Sequence, residues 1–288
     1  MVRVTVHPSS LALNVADVDS AFYADLNFEL NGQGAESELR GQGASNEATG
    51  GPWAPGLQHG GPPNALLVLM AEKLAAHADQ RSDLTAVRLA AEFLGPVPVG
   101  PLWLRASVDR LSRTAALIHT RLGSGGRTCL QSRVWLLAPG EQPPERPAPA
   151  PIEPGDPLTL EEFGFDNFPY GRHLDWRRVS GGPSEPGPAS CWISARVPLV
   201  VDQAVSGLQR AALFADSASG ISSELDWRTW SFANVDFDLH LMRAPTGDWL
   251  RLDGRTELGA GVALASSRIF DRSGPVGAGM QTLLLRRL

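Results

Sequence analysis

The chain has 288 residues, of which 43% are hydrophobic, and a formal net charge of −6. That is enough apolar chain for one large or two ordinary domains with real cores. The acidic balance, with no basic cluster or basic-aromatic stripe, excludes nucleic acid and an anionic membrane surface as expected partners. The longest apolar run, "ALLVLMA" (65–71), is too short to span a bilayer. The N-terminal "MVRVTVHPSSLALNV" lacks the continuous apolar segment of a signal peptide. Cys129 and Cys191 lie far apart without metal-site spacing and read as two buried, reduced thiols. The expectation is a soluble, cytoplasmic protein that binds no membrane.

In chain order, "FYADLNFELNG" (22–32) reads as a leading strand. The polar, Gly-rich stretch 31–56 reads as a long loop. Next, "HGGPPNALLVLMAEKLAAHADQ" (59–80) places apolar residues at 65, 66, 69, 70, 74 and 75, a helical period. Pro62 and Pro63 suit its first turn, where a missing N–H costs nothing. Four segments between Thr85 and Pro139 then alternate apolar with polar or small residues between Gly, Pro and Ser, and predict four antiparallel strands. The Pro-rich, charged stretch 138–160 predicts an extended linker. After it come "FPYGRHLDWRRVSG" and "PASCWISARVPL" as strands, a helix over 201–216, and four more strands to the C-terminus.

Both halves thus show strand, long helix, four strands. An offset of 147 lays "PVGPLWLRA" (98–106) on "PTGDWLRLD" (245–253) and Cys129–Leu136 on Val276–Leu283. An internal repeat follows, with units at 1–138 and 161–288 joined by a linker at 139–160. A long helix wrapped by a twisted antiparallel sheet, present twice, predicts an α+β double hotdog, because the sheet's apolar face needs the helix to cover it.

Within the second helix, Asp216 follows Leu208 and Ala212 at helical spacing and points where the apolar stripe points. A carboxylate there is costly unless paired, hydrogen-bonded or protonated. Two readings stand open: an acid ending a helix in "ADSASG", or a working acid. The first half's helix ends in "AAHADQRSD", without that signature. No G-x-S-x-G, H-E-x-x-H, Walker A or dinucleotide-binding pattern is present, and Ser184 sits in a Gly/Pro loop without a nucleophile-elbow context.

The ordered set "LQHGGPPNALLVLMAEKL", "FLGPVPVGPLWLRASVDRLSRTAALIHTRL", "LFADSASG", "FANVDFDLHLMRAPTGDWLRLDGRTELGAGVALASSRIFDRSGPVGAGMQ" and "LLLRR" resembles the double-hotdog acyl-CoA thioesterases, the actinobacterial-type thioesterase-like group related to thioesterase II. The resemblance implies hydrolysis of an acyl-CoA thioester to free acid and coenzyme A through an oriented water. It implies a catalytic Asp, Thr or Ser, and Gln that fall on Asp216, Asn234 and Gln281. Asn234 departs from the family's hydroxyl residue. Thioester hydrolysis by water needs a base and oxyanion donors. Helix position and burial would raise the Asp216 pKa toward neutrality, and His59, Gly60 and Gly61 at the first helix's start are expected as substrate or oxyanion contacts. No metal or redox cofactor is implied, coenzyme A being part of the substrate. A dimer or higher homo-oligomer is expected. A non-catalytic acyl-CoA or lipid-binding hotdog protein and a hotdog hydratase are the alternative readings. Asp236 and Asp238 share a strand face and read as solvated. Arg243 and Arg251 read as salt-bridge partners rather than coenzyme A contacts, and His240 as structural or exposed.

Overall fold

A computed structural model describes residues 20–79, 83–141 and 156–288. The N-terminal segment and most of the linker stretch read from sequence lie outside the described residues. In the first half β1 (Tyr23–Asn31) and β2 (Glu38–Ser45) precede helix α1 (Gly61–Asp79). They are followed by β3 (Thr85–Phe93), β4 (Pro101–Leu111), β5 (Ala115–Ser124) and β6 (Arg127–Leu137). The second half has a short α2 (Pro169–Arg172), β7 (Leu174–Gly182), β8 (Glu185–Ala195), α3 (Gly207–Ala215) and α4 (Ala218–Ile221). Then come β9 (Trp230–Asn234), β10 (Asp236–Leu241), β11 (Leu250–Leu258), β12 (Val262–Asp271) and β13 (Gly274–Arg287).

All thirteen strands join one antiparallel sheet in the order β1-β2-β4-β5-β6-β3-β10-β13-β12-β11-β8-β7, with β9 also paired to β13. Read from each end inward, the two halves have the same strand order, and they meet where β3 pairs with β10. The offset of 147 carries Ala115–Ser124 onto the bounds of β12 and carries Arg127 onto the start of β13. The repeat read from the sequence is therefore a repeat of topology.

Gly61 through Ala71 are all buried, so the first three turns of α1 are apolar on every side. The helix packs against β3–β6 on one side and α3 on another. One residue breaks this pattern. Asn64 is fully buried, and neither its amide nitrogen nor its side-chain oxygen has a hydrogen-bond partner. Leaving such groups unpaired costs about 1–3 kcal/mol each. Asn64→Ala should raise thermal stability by about 1 kcal/mol, read as an increased unfolding midpoint, since helix propensity also improves.

Four expectations need correction: "FPYGRHLDWRRVSG" opens with the helix α2 before its strand, and five strands rather than four follow the second helix because β9 and β10 are separate. The stretch 31–56 is not a long loop: β2 runs through it, flanked by single 3-10 turns at Gly34–Glu36 and Glu47–Thr49. Its glycines misled because they serve packing here. A Cβ on Gly41 would lie 2.6 Å from the Asn27 carbonyl oxygen, and one on Gly43 would lie 2.3 Å from the Leu26 side chain. Strand pairing with β1 and β4 overrides the glycine signal. The second helix begins at Gly207 rather than 201. Asp202 takes a left-handed φ of 56°, which no helix continues through, and the Ser206 hydroxyl caps α3 by accepting from the Gln209 amide.

Cys129 and Cys191 are buried free thiols. No helix among the described residues is long and apolar enough to cross a membrane.

Candidate active site

Asp216 is the C-cap of α3, and it is only 4% exposed. The structure brings Asn234 and Gln281 to it from two neighbouring strands. Asn234 Nδ2 donates to Asp216 Oδ1 at 2.6 Å. Gln281 Nε2 reaches Asn234 Oδ1 at 3.1 Å, the Asp216 main-chain oxygen at 3.1 Å and Asp216 Oδ1 at 3.3 Å. Gln281 Oε1 accepts from the Ser219 amide at 3.3 Å. A backbone N–H can only donate, so this contact fixes which end of the Gln281 amide is oxygen. That choice orients Asn234 in turn. The relay runs Ser219 N–H, Gln281, Asn234, Asp216, with every donor directed toward the carboxylate.

A bulge aims Asn234. Asn234 pairs with Leu283 but Asp238 pairs with Met280, so the register against β13 slips by one residue between β9 and β10. Asp236 fills the gap, accepting from the Thr282 amide at 2.7 Å and from its hydroxyl at 3.1 Å. It is a strand brace rather than a solvated residue, while Asp238 pairs with Arg88 at 3.2 Å across the seam between halves. The first half has an irregularity at the matching place, around Val87. There the offset of 147 puts Leu69, Val87 and Val134 where the second half has Asp216, Asn234 and Gln281. The backbone device is kept in both halves, and the polar set occurs in one.

The start of α1 supplies the other wall. The Gly60 and Gly61 amides donate to the Asp216 carboxylate, and His59 Nδ1 stands 3.3 Å from Asp216 Oδ2. These three residues, expected as substrate or oxyanion contacts, address the acid itself in this structure. A Cβ on Gly60 would sit 2.6 Å from Asp216 Oδ2, so only glycine allows this approach.

Burial pushes the Asp216 pKa up to about 7, against the opposing pull of the Asn234, Gly60 and Gly61 hydrogen bonds. Burial also lowers His59 to about 3, so the ring is neutral and its contact with Asp216 is no ion pair. Nδ1 accepts the Gly61 N–H at 3.1 Å, which leaves its lone pair beside Asp216. That contact is attractive only while Asp216 carries a proton.

Tyr170, read from the sequence only as part of a strand approach, holds this arrangement together. Its ring stacks on His59 at 4.0 Å and 7°, and its hydroxyl donates to the Leu213 carbonyl at 2.5 Å. It thereby ties α3's last turn to the His59 ring. Glu72 was also missed. It is the reciprocal acid, on α1, whose carboxylate accepts from Ser206 and Gln209 at the start of α3. Burial raises its pKa, and the two hydrogen bonds oppose that rise.

The two arginines pair internally. Arg243 holds buried Asp271 through two contacts of 2.6 Å. Arg251 is buried; it bridges to Asp253 at 3.0 Å and lies over the Phe270 ring at 4.0 Å. His240 is exposed.

Comparison with known proteins matches both halves of the chain to one family. The acyl-CoA thioesterase N-terminal domain matches residues 49–137, and the acyl-CoA thioesterase C-terminal domain matches residues 139–285. A search of curated proteins returns no match. Among solved structures, a conserved protein of unknown function with a hot dog fold from Alicyclobacillus acidocaldarius aligns at TM-score 0.70 and 14% identity, over 96% of this chain and 99% of that one. An acyl-CoA thioesterase II from Mycobacterium marinum aligns at TM-score 0.65 and 17% identity, over 95% and 99%. The TesB protein of Mycobacterium avium subsp. paratuberculosis aligns at TM-score 0.63 and 19% identity, over 95% and 100%. At these identities the structures show a shared hotdog-type fold. The two domain matches span most of the sequence, from the Gly-rich turn before α1 to the last strand, and the chain belongs to the acyl-CoA thioesterase family.

Proposed function

We propose that this chain is a double hotdog, with units at 1–138 and 161–288, that hydrolyses an acyl-CoA thioester by direct attack of water. The observation that carries the reading is the buried Asp216–Asn234–Gln281 relay, with its acid poised near neutral pH. An ionised Asp216 takes the proton from water as that water attacks the thioester carbonyl; collapse of the tetrahedral intermediate breaks the C–S bond, and the leaving thiolate takes the proton back from Asp216. A base is most effective when its pKa lies near the operating pH. No covalent intermediate on the protein is needed. The tetrahedral oxyanion requires a donor, and Asn234 can provide one. One N–H of its Nδ2 is used on Asp216, and its half-buried position leaves the other to face substrate. A threonine hydroxyl has a single hydrogen, so Asn234 supports both contacts where a hydroxyl residue supports one. Gly60 and Gly61 then serve the base, and Gln281 holds both partners in register.

The Asn234 hydrogen bond lowers the Asp216 pKa. In Asn234→Ala the acid limb of the pH–rate profile should therefore move above about 7, and the plateau rate should fall about 10- to 100-fold. Free coenzyme A thiol, measured in quenched aliquots across pH 5–9, reports both. An unmoved limb would separate Asn234 from the base.

The general test is thiol release from a series of acyl-CoAs by the wild-type protein. The absence of a hydroxyl at position 234 favours one other reading, a binding protein that retains acyl-CoA without turnover. Calorimetric binding with no thiol release from any acyl-CoA would decide for it.

A further inference from the structure

The face of the sheet that carries the relay continues into a small apolar strip. Gln281, Leu283 and Leu285 point to one side of β13, because alternate residues share a face. Ala265 and Ala263 lie opposite Gln281 and Leu283 on β12, and Asn234 and Phe232 lie opposite Leu283 and Leu285 on β9. Phe232, Ala263, Ala265 and Leu283 form an apolar cluster of their own, separate from the main core, with Leu285 packed on it.

This cluster borders a cavity of about 10 Å³, lined by Ser219, Leu225, Phe232, Thr256 and Leu283 among others. Ser219 is the residue whose amide fixes Gln281, so the cavity abuts the relay. The opposite side is filled. There Gly60 leaves no room for a Cβ beside Asp216, and the His59 ring next to the carboxylate is stacked on Tyr170. Such a cavity holds roughly one water-sized group. Phe232 is the largest side chain lining it; it is 7% exposed and meets the 42%-exposed Trp53 edge-on at 4.5 Å. A longer chain in this space would have to displace its bulkiest wall, Phe232, from the cluster, and close-packed apolar clusters resist such overpacking.

We propose, building on the thioesterase reading, that the acyl group enters this strip and that Phe232 limits the substrate to acetyl, whose methyl is about the size of the one group the cavity holds. Leu285 supports Phe232 from the next strand. The test compares kcat/KM for acetyl-, butyryl-, octanoyl- and palmitoyl-CoA in the wild type, Phe232→Ala and Leu285→Ala. The wild type should peak at acetyl, with octanoyl at least about tenfold lower. Phe232→Ala should move the maximum to octanoyl or longer, and Leu285→Ala, at the strip's edge, should move it in the same direction by less. A wild-type maximum at butyryl, octanoyl or palmitoyl overturns the proposal while leaving the thioesterase reading standing. So does an unchanged chain-length ranking in whichever variants fold. No thiol release from any of the four by the wild type overturns the thioesterase reading, and the size limit with it.

Discussion

Asp216→Asn should reduce thiol release about 10²- to 10⁴-fold, the range for removing a positioned general base. The substitution preserves shape but not acceptor count. Asp216 Oδ1 receives Asn234 Nδ2, and the carboxylate also receives the Gly60 and Gly61 amides. An asparagine offers one oxygen and one N–H₂, so at least one of these donors would meet another donor. The relay would lose its end point as well as its base. The same acid has a consequence for stability. Its pKa is 3.8 when free and about 7 when folded, so between these values the native state binds more protons than the unfolded state. This group therefore makes the fold less stable as pH rises from about 4 to about 7, by up to about 4 kcal/mol at full ionisation. Asp216→Asn should lack that decline. Urea unfolding of both proteins at pH 5 and pH 8 would show it, and equal pH dependence in the two would contradict the burial account.

The adjacent glycines should separate function from fold. At Gly60 a new Cβ meets the Asp216 carboxylate oxygens at 2.6 and 2.8 Å. A carboxylate can swing aside, so Gly60→Ala should fold. The displaced carboxylate would then fall out of line with Asn234 and with the attacking water, and a misplacement of about 1 Å costs on the order of 10²-fold in rate. At Gly61 the Cβ meets the Leu213 carbonyl oxygen at 2.2 Å, in the backbone of α3, where nothing can swing. Gly61→Ala must push the two helices apart and should lose about 3 kcal/mol or more of stability. The expected pattern is a normal melting temperature with low activity for Gly60→Ala, and a large drop in melting temperature for Gly61→Ala. Normal activity in Gly60→Ala would mean that the contact between α1 and Asp216 is incidental.

Much of this arrangement was legible in the sequence. Helical period marked α1, period-2 alternation marked β3–β6, and the offset of 147 predicted matching elements to the residue for β5 and β12. Asp216 stood out as an acid on an apolar stripe, and the family resemblance added Asn234 and Gln281. Their convergence is a property of the fold. Asp216 meets Gly60 across the packing of α3 on α1, and no local pattern encodes that contact. Tyr170 was illegible for the same reason. Its neighbours looked like a strand, and its stacking partner His59 lies in the other half. Composition misread β2, because glycines that let strands pack closely look the same in sequence as glycines that loosen a loop. The register slip at Val235 left no mark, since "FANVDFDLHL" alternates well enough to pass for one uninterrupted strand.

The central claim is that a buried Asp216, ionising near neutrality, is the base. The pH dependence of kcat for thiol release by the wild-type protein, with a short acyl-CoA at saturation, tests it most directly. The predicted result is a rate that rises tenfold per pH unit on its acid side and levels off near pH 7, because only the ionised carboxylate accepts the proton. A rate that stays at its plateau down to pH 5 would contradict the account, since Asp216 would then carry its proton throughout that range.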